Sequence, residues 1–241
     1  MDSVRGMAKP DFIELPGCEP ITILYEDRSV LAVDKPRGWM LVPVSWQSTA
    51  RNLQAALNSS IAARDFWART RSLKFLRHVH RLDADTTGVL LFAKSRGAIE
   101  SYSKMFEGRQ MEKTYLAVAS GRAFDAEWTC QLKLAADPKQ VGRVKVDARS
   151  GRPTETHFRL LQSHEKFLLI EARPVTGRTH QIRVHLAEAG LPIIGDELYG
   201  SLKNNLPLGL RAVELAYFDP FIKKRVSIRA PTEDFLKPYG F

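Results

Sequence analysis

The chain has 241 residues and carries 36 Lys and Arg against 27 Asp and Glu, a net charge of +9. With 44% apolar and 26% charged residues it has the composition of a globular protein with a real core, which excludes wholesale disorder and a fibrous repeat. The densest apolar run, 89–93, stops at Lys94, far short of the roughly 18 to 20 residues of a membrane helix. The first ten residues lack an apolar signal core, so a cytoplasmic protein is expected, with Cys18 and Cys130 as reduced thiols.

Residues 1–20 hold three prolines and two glycines without periodicity and read as a loose leader. Two β-rich runs at 21–25 and 30–33, separated by Glu26-Asp27-Arg28, predict a hairpin. Leu53, Ala56, Leu57 and Ile61 recur at helical spacing over 49–63, with Ser48 or Thr49 as the expected N-cap. The apolar run 88–93 predicts a buried strand. Ser95 then caps a helix through Ile99, Tyr102 and Phe106 that Gly108 ends. Strands are expected at 114–119, 129–134, 141–146, 154–161 and 167–172. A helix over 179–189 ending at Gly190 follows, then strands at 211–218 and 225–229. No repeat or long Gly/Ser linker divides the chain. The pattern predicts one α+β domain on a mixed, mostly antiparallel sheet with flanking helices.

Between Arg64 and Arg81 six basic residues, among them Lys74 and Arg77, face one acid, Asp65, with Phe66, Trp67 and Phe75 interleaved. Such a segment is either an electrostatic footprint for a phosphate backbone or a solvated face. Phosphate-loop, dinucleotide, serine-hydrolase and zinc-protease motifs are all absent. His78 and His80 suggest a metal pair with Asp83 or Asp85, but Arg77 and Arg81 flank them with charge that opposes a cation. In the run 80–88, Asp83 stands in a turn between a basic stretch and a buried strand, as a catalytic carboxylate or as a turn cap. In the run 176–185, Arg178 and Arg183 do not share a helical face, so one can meet a carboxylate while the other serves phosphate. His180 and His185 read as packing or hydrogen-bonding residues.

These runs resemble a family. His80-Arg81-Leu82-Asp83, Thr86-Thr87-Gly88 and the following Leu90-Leu91 are similar to the H-R-L-D-x-x-T-S-G signature of the RluA-type pseudouridine synthases. Val33-Asp34-Lys35-Pro36 with Gly38 resembles the opening hairpin of that family, and Lys113-Thr114-Tyr115-Leu116-Ala117 its K-x-Y-x-A strand. Thr176 to His185, then Gly195-Asp196 with Tyr199-Gly200, resembles its T-G-R-T-H-Q-I-R-V-H and G-D-x-x-Y-G blocks. The match is ordered and runs from about 21 to 230. It departs from the family at Thr87, which replaces Ser, at Arg211, which replaces His, and at Asp219-Pro220, which replaces His-Pro.

The resemblance implies the pseudouridine synthase fold with a central basic cleft, over 21–241, with no S4-type module ahead of it. It implies an isomerase that converts uridine to pseudouridine in ribosomal or transfer RNA, without cofactor or metal; a monomer is expected because no heptad or exposed apolar run argues for an obligate oligomer. In this sequence Asp83 takes the place of the catalytic carboxylate, Arg183 of the arginine that pairs with it, and Tyr115 of the residue that stacks on the extruded uracil. Arg81, Arg178, His180, Arg77 and Lys74 are expected to contact the RNA, with Lys133, Lys139, Arg143 and Lys145 as further phosphate contacts. The competing readings are a noncatalytic RNA-binding or ribosome-assembly factor on the same scaffold, and a metal-dependent nuclease using Asp83 and Asp85.

Overall fold

The computed structural model describes residues 9–41, 51–200 and 205–241. Within them, 9–20 are not a loose leader. Strand β1 (Phe12–Ile13) pairs antiparallel with β2 (Ile21–Glu26), and Ile13 and Leu15 are buried. The hairpin to β3 (Val30–Lys35) forms as expected because Asp27 builds its turn: the carboxylate accepts the N–H groups of Ser29 at 2.7 Å and Val30 at 2.8 Å.

Helix α1 (Leu53–Ala62) starts later than the periodicity predicts, capped by Asn52, whose side chain accepts Ala55 N–H at 3.0 Å. The expected caps Ser48 and Thr49 lie outside the described residues. A short helix α2 (Phe66–Arg69) and strand β4 (Arg77–His78) break up the basic segment. Strand β5 (Thr87–Ala93) follows, and Ser95 caps α3 (Arg96–Glu107) by accepting Ala98 N–H at 3.1 Å.

Then come β6 (Glu112–Ser120), β7 (Glu127–Cys130), β8 (Lys133–Ala136), β9 (Val144–Val146), β10 (Arg152–Pro153), β11 (Thr156–His164) and β12 (Phe167–Pro174). The single strand expected at 129–134 is two: β7 stays in the main sheet and β8 leaves it for a separate three-stranded sheet, ordered β10-β8-β9. Helix α4 (Gln181–Glu188), strands β13 (Leu210–Phe218) and β14 (Arg225–Arg229) and the short α5 (Glu233–Leu236) complete the fold.

The main sheet has eleven strands, with the path β1-β2-β3-β5-β13-β6-β12-β11-β7 and with β14 and β4 added to β13 and β5. Among the described residues its one parallel pairing, β13 with β5, joins Arg211 to Thr87 and Ala212 to Gly88. The class expected from the sequence, α+β with a mostly antiparallel sheet, is the one found. Strands β3 and β5 are buried on both faces, which is why they read as unbroken apolar runs. Leu31, Val33, Leu90 and Phe92 pack under α1 and α2, while Val30, Ala32, Leu91 and Ala93 pack on Tyr102 and Met105 of α3. At the other end Ala117, Ile170 and Ala172 meet Ile182 and Leu186 of α4. Among the described residues no helix is long and apolar enough to cross a membrane.

Burial also sets an acid response. His185 is fully buried on α4 with Nε2 against Thr154 Oγ1 at 2.7 Å, and burial pushes its imidazole down from 6.5 to about 4. The neutral ring therefore favours the fold above pH 6.5, and the contribution drains away as pH falls toward 4, because the unfolded chain takes up the proton first. Between pH 7 and pH 5 the loss is on the order of 2 kcal/mol. Urea midpoints at the two pH values should show it in the wild type and should show a smaller pH effect in His185→Gln.

Candidate active site

Asp83 lies in the loop between β4 and β5, and the backbone of that loop is tied down from beneath. Lys35, fully buried at the end of β3, donates through Nζ to the carbonyls of Pro36 at 3.0 Å, Ala84 at 2.6 Å and Thr86 at 3.0 Å. Burial brings this ammonium down to about 7, against the opposing pull of Asp85 and Asp83. Of these acceptors Ala84 and Thr86 belong to the loop, and the N–H of Gly38 adds a third tie, to Ala84 O at 2.9 Å. The Lys35-Pro36 and Gly38 positions and the Asp83 run thus form one structural unit.

The side chain of Asp83 meets α4. Arg183 Nη1 donates to Asp83 Oδ2 at 3.2 Å, while Nε and Nη2 of the same guanidinium grip Asp196 at 2.8 and 2.7 Å. Asp196 also accepts the N–H groups of Leu198 and Tyr199, and its side chain is wholly buried. Burial acts to raise the Asp196 carboxyl, but the bonds and charge of Arg183 outweigh it and hold the group below 3.8. Burial likewise weakens the Arg183 charge, and Asp196 followed by Asp83 reverse that, so the guanidinium stays charged. A fork held bidentately by one carboxylate presents its remaining nitrogen to a second with little freedom.

The turn before α4 is fixed by Gln181. Its Oε1 accepts Thr176 Oγ1–H at 2.7 Å and Arg178 N–H at 3.1 Å, and its Nε2 donates to Glu155 O at 3.0 Å and Thr156 Oγ1 at 2.9 Å. His180 stands between turn and helix in the left-handed region, φ 54°. Its Nε2 lies 3.7 Å from Asp83 Oδ2 and its Nδ1 2.9 Å from Tyr199 Oη. Burial chiefly, with Arg183 and against Asp83, keeps this imidazole below its ordinary value.

Tyr115 comes from β6, paired with Ala172 on one side and Ala212 on the other, which brings it to the point where β13 joins the two halves of the sheet. Burial first and Asp83 second push its hydroxyl far above the ordinary tyrosine range, so it stays protonated. Asp83, Tyr115 and Arg183 line one cleft of about 500 Å³ together with Arg81, Arg178 and His180. Arg81 and Arg178 are exposed there. Lys113, two residues before Tyr115 and so on the same strand face, lines it too. Burial and then Arg109 lower its ammonium to about 8.

Not every expected contact gathers at this cleft. Lys74 lines a separate depression around Glu26 and Lys94, and Arg77, on β4, lines neither. Arg71, from the same basic segment, is an internal residue: its Nε is 2.7 Å from Glu26 and its Nη2 donates to Pro10 O at 2.8 Å. The histidines of the imagined metal pair are engaged elsewhere. His78 Nδ1 is 2.8 Å from Gln54 Oε1, and His80 Nε2 accepts Leu91 N–H at 3.1 Å. Sequence reasoning missed the roles of Gln181, Asp196 and Tyr199, although the first lies in the block 176–185 and the others in the Gly195–Gly200 block.

The fold agrees with that of known proteins. The family model for RNA pseudouridylate synthase matches residues 29–188. Ribosomal large subunit pseudouridine synthase C of Buchnera aphidicola subsp. Schizaphis graminum is 32% identical over 233 residues, 90% of this chain and 69% of that protein. The synthase C of Vibrio cholerae is 33% identical over 226 residues, 89% of this chain and 67% of that protein. Among solved structures, human RNA Pseudouridylate Synthase Domain Containing 1 superimposes with a TM-score of 0.70 at 24% identity, covering 90% of this chain and 85% of that one. The chain belongs to the RNA pseudouridylate synthase family, and its activity is the isomerisation of uridine to pseudouridine in RNA.

Proposed function

We propose that Asp83 is the catalytic carboxylate of this isomerisation and that the RNA is the ribosomal RNA of the large subunit. The observation that carries the first part is the convergence of Asp83, Arg183 and Tyr115, from three separate elements, on one cleft. The second part rests on the relatives, which are named as ribosomal large subunit synthases.

The reaction breaks the N1–C1′ bond, turns the uracil while it is held, joins C5 to C1′, and moves a proton from C5 to N1. No atom is gained or lost. A uridine in a stem must first leave its stack, at a cost of a few kcal/mol. The exposed Arg81 and Arg178 at the cleft meet phosphate and the vacated position, and Tyr115 gives the detached base a ring to stack on, which keeps it from diffusing away. Arg183 aims the carboxylate at the sugar or base. The basic residues Arg143 and Lys145 on or beside β9 add sequence-independent affinity that falls with salt.

The test is pseudouridine mapping, by carbodiimide treatment and primer extension, of RNA from cells lacking the gene. A stop lost from large-subunit RNA and restored by wild-type protein, but not by Asp83→Asn, is the expected result. A stop lost only from transfer RNA would overturn the substrate assignment.

A further inference from the structure

Tyr199 lies on the far side of His180 from Asp83, and it has two hydrogen-bonding neighbours. Val144 N–H, in β9, donates to Tyr199 Oη at 2.8 Å, and a backbone N–H has no other role to play. That bond uses a lone pair of the hydroxyl. The 2.9 Å contact between the hydroxyl and its second neighbour, His180 Nδ1, can run in either direction, and when Tyr199 donates its own proton Nδ1 is the unprotonated nitrogen. In a neutral imidazole the remaining proton is then on Nε2, the atom 3.7 Å from Asp83 Oδ2.

We propose that Tyr199 is a positioning residue for the isomerisation: through His180 it fixes the imidazole tautomer that turns an N–H toward Asp83. The inference rests on the reading of Asp83 as catalytic. Oδ2 is then approached by Arg183 Nη1 from one side and His180 Nε2–H from the other, which leaves Oδ1 as the oxygen free to meet the substrate. At 3.7 Å the His180 contact is longer than a formed hydrogen bond, and contacts of this kind tighten when substrate is bound.

Two further observations fit a held ring rather than a passive one. His180 keeps a left-handed backbone, φ 54°, which carries a steric cost for a non-glycine residue and sets the direction from which its ring enters the site. Tyr199 is itself wedged between guanidinium groups, Arg183 at 5.2 Å from its ring centre and Arg143 at 5.4 Å. The chain of contacts therefore begins on main chain in β9 and ends at the carboxylate, with no mobile side chain at its outer end.

The experiment combines ¹⁵N NMR of labelled histidine at neutral pH with kcat and KM on an RNA substrate, for wild type, Tyr199→Phe, His180→Asn and the double variant. Phenylalanine keeps the ring between the arginines and removes only the hydroxyl, and asparagine tolerates the left-handed backbone. The expected result is a His180 protonated at Nε2 in the wild type and a mixture of tautomers in Tyr199→Phe. The kcat of each single variant should fall about ten- to hundredfold with KM within about threefold, and the double variant should be no worse than His180→Asn. A wild-type His180 protonated at Nδ1, a Tyr199→Phe defect confined to KM, or losses that multiply in the double variant would overturn the proposal. An Asp83→Asn control separates the two readings: full activity in that control, with the Nε2 tautomer still observed, removes the catalytic role of the carboxylate and with it the purpose of the relay, but not the hydrogen bonds.

Discussion

Arg183→Ala is expected to lower both activity and stability, for two separable reasons. Its guanidinium neutralises Asp196, whose side chain is wholly buried, and removing one member of a buried pair leaves an uncompensated charge that costs about 3 to 5 kcal/mol. For a domain of this size that is a fall in Tm of about 10 °C. The same substitution releases Asp83 from the contact that aims it, which is expected to cost at least about a hundredfold in kcat. A second variant divides the effects. Arg183→Met combined with Asp196→Asn removes both charges and keeps an acceptor for the N–H groups of Leu198 and Tyr199, so stability should largely return while activity does not. Arg183→Lys cannot reproduce the fork and should stand between wild type and Arg183→Ala. Calorimetry with single-turnover assays checks all three. Recovery of activity along with stability in the double variant would show that Arg183 serves only the fold.

The largest stability effect is expected at Gly88. Its backbone has φ +107°, and a Cβ placed there would stand 2.0 Å from Ala212 O, a main-chain atom of the strand to which it is paired. No side chain can move aside to relieve that contact. The parallel pairing of β5 with β13, which closes the sheet between the Asp83 loop and Tyr115, would have to open. Gly88→Ala should therefore cost more than about 4 kcal/mol, in the range that marks a broken structural constraint. Gly142 supplies the control. It also has positive φ, +83°, but no atom lies within 4 Å of an added Cβ. Gly142→Ala should cost only the backbone strain, about 1 kcal/mol. Equal losses in the two variants would mean that φ alone, and not the close approach of β13, requires glycine at 88.

The contrast between these residues shows what a sequence can carry. The capping residues Asp27, Ser95 and Gly190 act within a few positions of themselves, and the elements they start or stop fall close to where the pattern puts them. That Asp83, Tyr115 and Arg183 would share one cleft was legible because ordered blocks of residues surround each of them. The supports of the site were not, because their partners come from far along the chain. Lys35 binds the loop at Ala84 and Thr86, Gln181 binds Glu155 and Thr156, and Tyr199 binds Val144. A periodicity has no record of such pairings. The basic segment failed for a related reason: nothing local distinguishes Arg71, paired internally with Glu26, from Arg81, which faces the cleft. Strand β1 escaped notice because two residues are too few to show alternation.

The measurement that bears most directly on the account is tritium release from RNA labelled at uridine C5, in the presence of chelator, with wild-type protein and Asp83→Asn side by side. Every turnover removes the C5 proton, so release counts turnovers on any uridine. Release by the wild type, with Asp83→Asn folded and RNA-bound but silent, is the outcome expected from the cleft. Equal release by both proteins would contradict it and take the chemistry away from Asp83.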